Sequence, residues 1–417
     1  MMRIAFYLKN KNTLNCSKII DGNPGLGGSE YLIILIPTLL SLKYKDIEVT
    51  LYTDYQGQLP RELHTIACSS FEDFASLCSK NEEDYCVVNY TSVQNNVIKN
   101  SPNLNFIIWC HNFASWKNLD FYARQHNVVR IITVGREQLD LYRDHPAFEK
   151  SDYIYNAIPT DSLKEKVGSI VPFKDRKNNV IYIGSLIECK GFIHLAKAWK
   201  KVLKAVPDAT LYVIGKGNLY DEKAKLGRLK LADETFENKF ASYISDEKGI
   251  LPSVTFLGIL GEEKFDIIKK CKVGVPNPGG LTETFGLTAI EMQAMGCIVT
   301  SIECPGYLDT IFDKNMLYHK TSQLAKYIIR GLKTDHTTNI NDIFSFIEKN
   351  FSYDVIILQW HKLLTECIPQ KQPLHSEEML INDTYHYKRW KELMRKNKNN
   401  SLLKIIPPLE RIFYKQH

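Results

Sequence analysis

Apolar residues in this chain come in short runs separated by longer periodic stretches. In the first half the runs are "RIAFYL", "EVTLYT", "YCVVNY", "NFIIWC", "RIITV" and "YIYNAIP". In the second they are "VIYIGS", "ATLYVIG", "VTFLG", "VGVPN" and "CIVTS". All are rich in β-branched and aromatic residues, which predicts strands. Between them lie segments with helical spacing, such as "GFIHLAKAWKKVLKAV" and "GEEKFDIIKKC". Runs that are apolar at successive positions predict parallel strands covered on both faces by helices. The alternation pauses at a polar stretch, Asp161 to Asn179, and then restarts. The expected architecture is therefore α/β, with two doubly wound, Rossmann-like domains at about 1–165 and 170–351 and a linker between them. Ligands of such sheets bind beyond the carboxyl ends of the strands, so the expected site lies in the cleft between domains.

Composition narrows the class. A chain of 417 residues suits two to three domains. With 44% hydrophobic and 24% charged residues it reads as a folded soluble protein. No apolar run approaches the roughly 18 residues of a membrane span. The longest, "YLIILIPTLLSL", contains Pro37. The N-terminus reads as a first strand rather than a signal peptide. Ten cysteines are scattered without a CxxC or Cys/His cluster, which predicts reduced thiols and a cytoplasmic location. The net charge of +6 is uneven: Tyr385 to His417 carries nine Lys/Arg against two acids. The body is thus near neutral, and 385–417 reads as a basic tail. Such a tail suits an anionic membrane surface. Nucleic acid is disfavoured as a partner, because the body shows no recognition motif for it.

The candidate chemistry starts at "ETFGLTAIE", where Glu283 and Glu291 bracket a glycine turn. "PGGLTETFG" reads as a loop and "LTAIEMQAM" as a helix ending at Gly296. Glu283 then precedes the helix and Glu291 sits about one turn inside it. The N–H groups of Thr284, Phe285, Gly286 and Leu287 lie at the helix N-terminus, which attracts an anion such as phosphate. A carboxylate on each side can accept from hydroxyls, Glu291 from a ribose and Glu283 from a sugar. Taken alone, the pair could equally be a solvated loop acid and an ordinary helix acid. Further turns end neighbouring strands. "GSLIECKG" (Gly184 to Gly191) carries Lys190, a point charge for phosphate. "VIGKGN" carries Gly215, Lys216 and Gly217, and "FLGIL" carries Gly258; their glycines admit a flat base.

The E-x7-E spacing, the strand–turn ending in Lys-Gly and the two-domain layout resemble the retaining glycosyltransferases of family 4, of the bacterial surface-polysaccharide type. These have the GT-B fold, two Rossmann-like domains facing across a cleft. The resemblance spans roughly residues 3 to 365. "GLGGSE" (Gly27, Gly28), "WCHN" (His111), "YNAIP" (Asn156) and "GYLDTI" carry it further, with Asp309 where the family has glutamate. It implies that Glu291 binds the donor ribose and that Glu283 contacts the transferred sugar. Backbone N–H groups at Phe285, Gly286 and Leu287, with Lys190, would hold the diphosphate. The Gly27–Gly28 loop would close on that diphosphate, and His111 would lie beside the sugar. Fixed donors and a lysine would stabilise the leaving nucleoside diphosphate. No metal or other cofactor is then needed, and no Asp-x-Asp motif is present to hold a metal. Where the family has arginine after the first glycine of the turn, this chain has Ser185, so one bidentate cation is missing. Lys216 or Arg124 are the candidate substitutes.

The resemblance also places "FSYDVIILQWHKLL" as a final helix, about 352–384, crossing back to the first domain. The expected partners are a nucleotide-sugar donor, UDP-linked, and a glycan or lipid-linked acceptor. Lys9, Lys11 and Lys18, in a long loop of the first domain, are candidates to meet an anionic acceptor. The tail interleaves cations with Trp390, Leu402, Leu403, Ile405, Ile406 and Phe413, as a membrane interface would require. Peripheral attachment to the inner face of the membrane follows as an expectation. Two other readings remain open from sequence: a GT-B nucleotide-sugar epimerase, and a non-catalytic sugar-nucleotide-binding protein.

Overall fold

The structure, a computed structural model, describes residues 1–168, 170–217, 225–335, 339–375, 387–397 and 406–413. The chain divides into two compact units. Unit 1 holds Met1–Ala157 with Phe351–His417, and unit 2 holds Ile158–Asn350.

Unit 1 is built on seven strands: β1 (Met2–Leu8), β2 (Ile47–Thr53), β3 (His64–Ala67), β4 (Tyr85–Asn89), β5 (Phe106–Cys110), β6 (Val128–Thr133) and β7 (Ser151–Tyr153). They pair in parallel in the order β3-β2-β1-β4-β5-β6-β7. Every residue of β5 is buried, as a strand covered on both faces requires. Strand β3 was not anticipated; it is an edge strand whose sequence, "HTIA", is polar and mostly exposed. Strand β7 lies earlier than "YIYNAIP" suggested: it is Ser151–Tyr153 and includes only the first residue of that run. The first helix, α1 (Gly28–Lys43), follows the long loop after β1.

Unit 2 runs β8 (Asn179–Ile183), α2 (Phe192–Ala205), β9 (Thr210–Ile214), β10 (Val254–Gly258), α3 (Lys264–Ile268), β11 (Val273–Val275), α4 (Leu287–Ala294), β12 (Ile298–Val299) and α5 (Pro305–Thr310). Its parallel sheet has the order β10-β9-β8-β11-β12. The order reverses between β8 and β11, and a doubly wound sheet binds its ligand at such a reversal. The core is one cluster in which Trp199 and Phe192 of α2 pack over Tyr182 and Val213 of the strands.

The stretch expected as a linker, Asp161 to Asn179, is more ordered than its polarity implied. Thr160–Val167 is a helix with Leu163 buried. Arg176 is also buried and donates to the carbonyls of Cys271, Met295 and Gly296. It therefore caps the carbonyl end of α4. Polarity there served capping rather than solvation.

The chain then returns to unit 1 as α6 (Tyr353–Lys362). Trp360 is fully buried, with ring centroids 6.1 Å from Phe6 and 4.9 Å from Trp109. Two further helices follow, α7 (Lys388–Lys396) and α8 (Leu409–Phe413). Within the described part of the expected basic tail, several cations are paired inside the protein. Lys388 Nζ is 2.5 Å from Glu137 and 3.1 Å from Asp140, and all three side chains are buried. Lys391 Nζ is 2.6 Å from Glu410 and donates to the Leu141 carbonyl. Arg395 pairs with Glu392 and Glu149. Lys388, Lys391 and Arg395 thus face the body of unit 1, while Arg389 and Lys396 are exposed and Trp390 and Leu393 point outward at 62% and 53% exposure. Leu402, Leu403 and Ile405 lie outside the described residues, as does the Phe413 side chain. Among the described residues, no helix is long and apolar enough to cross a membrane.

Candidate active site

The reversal in the unit 2 sheet brings together two loops, Gly184–Gly191 after β8 and Asn277–Gly286 after β11. Both acids of the E-x7-E pair sit here, and each is held by a lysine. Glu283 Oε2 is 3.2 Å from Lys190 Nζ, and Glu291 Oε1 is 2.6 Å from Lys264 Nζ. Between the acids α4 begins, with Gly286 as its N-cap and Glu291 in its second turn. The expected helix end holds as well, because Gly296 takes a left-handed φ of 75° just after Met295. The first N–H groups of α4 have no acceptor within the helix, as at any helix start. Gly286 has φ 90°, and a Cβ there would meet the Tyr307 ring at 2.6 Å. Only glycine fits between that turn and α5.

Asn277 organises this loop, and nothing in its sequence context singled it out. It is buried, and its Oδ1 accepts from the N–H groups of Gly279 and Gly280, each at 3.1 Å. Its amide nitrogen lies within hydrogen-bond reach of the carbonyls of Cys189 and Leu281 and of Glu283 Oε2. Its own N–H donates to the Tyr307 hydroxyl at 2.7 Å. One buried amide therefore ties the β8 turn, the β11 loop and the Glu283 carboxylate together. Thr310 Oγ1 adds a bond to the Phe285 carbonyl at 2.9 Å. Tyr182 donates to the Lys190 carbonyl at 3.0 Å and lies 3.3 Å from that of Ser185. Burial first, and the Glu283 charge second, push the Tyr182 and Tyr307 hydroxyls up, so both stay protonated.

The other expected positions fare differently. Ser185 is buried in the β8 turn. Lys216 is half-buried, and its carbonyl accepts from Leu186 N–H at 3.4 Å. Gly215 and Gly217 were expected to admit a flat base, and the neighbouring backbone also leaves no room for a side chain at either. A Cβ on Gly215 would lie 2.0 Å from the Gly184 carbonyl oxygen, and one on Gly217 would lie 2.4 Å from Ala232 Cα. Gly258, by contrast, has open space around it and a φ of 72°. Thr284 and Phe285 are buried, and Leu287 is the first residue of α4. Lys264 was read only as part of a periodic helix, yet it is the cation that holds Glu291. No local pattern could have revealed it, since its partner lies 27 residues away.

In unit 1, Gly27 caps α1 and its N–H donates to Glu30 at 3.2 Å; Gly28 opens the helix. His111 follows β5, buried, with its ring 4.3 Å from that of Trp109. Burial pushes its imidazole down to about 3. It is neutral at physiological pH and can act through hydrogen bonds but not as a cation. Arg124 is exposed on its helix and donates Nε–H to the Asp120 carbonyl. Among the described residues, no group of three or more His, Cys, Asp or Glu is placed to hold a metal ion.

Residues 164–340 match the family model "Glycosyl transferases group 1". That range falls within unit 2 and spans both acids and both lysines. The chain is a glycosyltransferase. An uncharacterized glycosyltransferase of Haemophilus influenzae is 22% identical over 275 residues, covering 63% of this chain and 70% of that protein. Sucrose-phosphate synthase from Thermosynechococcus elongatus superimposes with a TM-score of 0.62 at 16% identity, over 89% of this chain and all of that one. An α,α-trehalose-phosphate synthase (UDP-forming) from Burkholderia vietnamiensis gives 0.59 at 11% identity, over 89% and 98%. The fold of this glycosyltransferase is GT-B: parallel α/β units with a helical C-terminal part.

Proposed function

We propose that this glycosyltransferase moves one sugar, with retention, from a UDP-linked donor to a glycan or lipid-linked acceptor in surface-polysaccharide synthesis. The observation that carries the reading is the start of α4 between Glu283 and Glu291, each with its own lysine. Glu291 binds the ribose and Glu283 the transferred sugar. The α4 N-terminus and Lys190 take the diphosphate, whose charge grows as the glycosidic bond breaks. A second anion beside Lys190 competes with Glu283 for its ammonium, which frees that carboxylate for sugar hydroxyls. Neutral His111 is a hydrogen-bonding group to a sugar hydroxyl, and the Gly27–Gly28 turn is a diphosphate-binding element. A uridine donor accords with the UDP-forming activity named for one structural neighbour. The α4 site works with carboxylates, N–H groups and lysines, and needs no further cofactor.

Thermal unfolding with UDP, GDP, ADP and CMP tests the donor. UDP at about 100 times its dissociation constant is expected to stabilise the native chain by about 2.7 kcal/mol. Glu291→Ala is expected to lose most of that gain. No stabilisation by any of the four nucleotides would overturn the reading.

For the membrane we propose a contact through the outer face of α7, where Trp390 and Leu393 are exposed beside Arg389 and Lys396 while Lys388 and Lys391 face inward. The double variant Trp390→Ser/Leu393→Ser is expected to lose co-sedimentation with phosphatidylglycerol-containing vesicles. Salt should weaken native binding only in part, because Lys388 and Lys391 are already paired and Arg389 and Lys396 are the exposed cations of α7. Undiminished sedimentation of the double variant would refute this contact.

A further inference from the structure

The lysine that holds Glu291 belongs to none of the motifs on which the function rests. Lys264 opens α3, just after β10, and its ammonium also lies 5.1 Å from the centre of the Phe265 ring. Its Nζ is 2.6 Å from Glu291 Oε1, with both side chains largely covered. The other carboxylate oxygen, Glu291 Oε2, is buried and has no hydrogen-bond partner in the protein. The two oxygens of one carboxylate therefore have opposite situations: one is fixed by a cation, the other is shielded from water and unsatisfied.

We propose that Lys264 is a positioning residue for ribose recognition, fixing Glu291 Oε1 so that Oε2 alone is presented to a single ribose hydroxyl. The inference rests on the reading of Glu291 as the ribose-binding acid. A buried acceptor without a partner carries a desolvation cost that a ligand hydroxyl removes. A carboxylate free to rotate would share that bond between two oxygens and with water; a carboxylate pinned at one oxygen cannot. The ion pair thus acts on selectivity as well as on affinity. A site built to accept one hydroxyl discriminates against the analogue that lacks it.

The measurement is calorimetric binding of UDP, 2′-deoxy-UDP and 3′-deoxy-UDP to the full chain and to Lys264→Met, Lys264→Arg and Glu291→Gln. The native chain is expected to bind UDP about tenfold to a hundredfold more tightly than one of the two deoxy analogues, the range for a hydrogen bond to a charged group. It should distinguish the other analogue far less. Lys264→Met is expected to bring that preference to within about threefold, mostly by weakening UDP, with the disfavoured analogue bound about as before. Lys264→Arg, which keeps a cation, should retain the preference, and Glu291→Gln should lose it.

The outcomes separate cleanly. If the native chain prefers UDP and Lys264→Met keeps the full preference, the positioning role is wrong while the ribose-binding role of Glu291 stands. Equal weakening of UDP and both analogues by Lys264→Met makes the lysine a structural or phosphate-binding group and also overturns the proposal. A native chain that binds UDP without preferring it over either analogue removes the ribose role of Glu291 itself. If UDP does not bind at all, the donor reading fails first.

Discussion

Replacing Lys190 with Met is expected to lower kcat by about 10²–10³, the usual effect of removing one fixed donor from a site of developing negative charge. The native ammonium lies 3.2 Å from Glu283 Oε2, on a turn whose backbone is fixed by Tyr182 and Asn277. The Met variant should also bind UDP more weakly, since the cation acts on the nucleotide before and after bond breaking. Glu283→Gln provides the contrast. It leaves Lys190 in place, so UDP binding should change little while turnover with the nucleotide sugar falls. Both are read by UDP release from the donor in steady state. If Lys190→Met turns over within about threefold of the native enzyme, the leaving-group role given to it is wrong.

The second large effect concerns stability. Lys391→Met is expected to destabilise unit 1 by about 3–5 kcal/mol, because it leaves the buried Glu410 carboxylate without its cation. The same ammonium also satisfies the Leu141 carbonyl, so the loss is felt on both helices of the C-terminal segment and on the body. Urea unfolding followed by tryptophan fluorescence measures it, with Trp360 and Trp109 as buried reporters in unit 1. The double variant Lys391→Met/Glu410→Leu should recover most of the loss. A buried pair replaced by apolar groups of similar size is often neutral, whereas a pair broken on one side is not. A single variant as stable as the native chain would mean that α7 is not held by this pair.

These two predictions differ in how far the sequence announced them. Lys190, Glu283 and Glu291 were legible because strand ends, a glycine turn and a helix start are local patterns, and the sheet gathers strand ends at one edge. Gly296 was legible as a helix end for the same reason. Asn277 and Lys264 were not. Their roles come from partners brought close by folding: Tyr307 and Cys189 in one case, Glu291 in the other. Gly215 and Gly217 have a second role that sequence did not show, because a glycine required by neighbouring backbone looks the same there as one that clears room for a ligand. The pairing of the C-terminal segment was not legible at all. Its surplus of positive charge is a fact of composition, but the acids that meet it, Glu137, Asp140 and Glu149, lie some 250 residues earlier. A count of charges along the chain cannot show which of them face each other. Edge strand β3 escaped notice because an edge need not be apolar.

Unit 1 is composed of the two ends of the chain, with all of unit 2 between them. On the ribosome these parts emerge in order. At about 5–20 residues per second, the seven-stranded sheet waits roughly ten to forty seconds before α6 is made. Until then Phe6 and Trp109 lack the indole of Trp360 that packs against them. Unit 2 has no such delay, since its segments are contiguous and can close as soon as they leave the exit tunnel. Nascent chains of this transferase should therefore carry a finished unit 2 and an unfinished unit 1, and holdase chaperones should find their substrate in the first 157 residues.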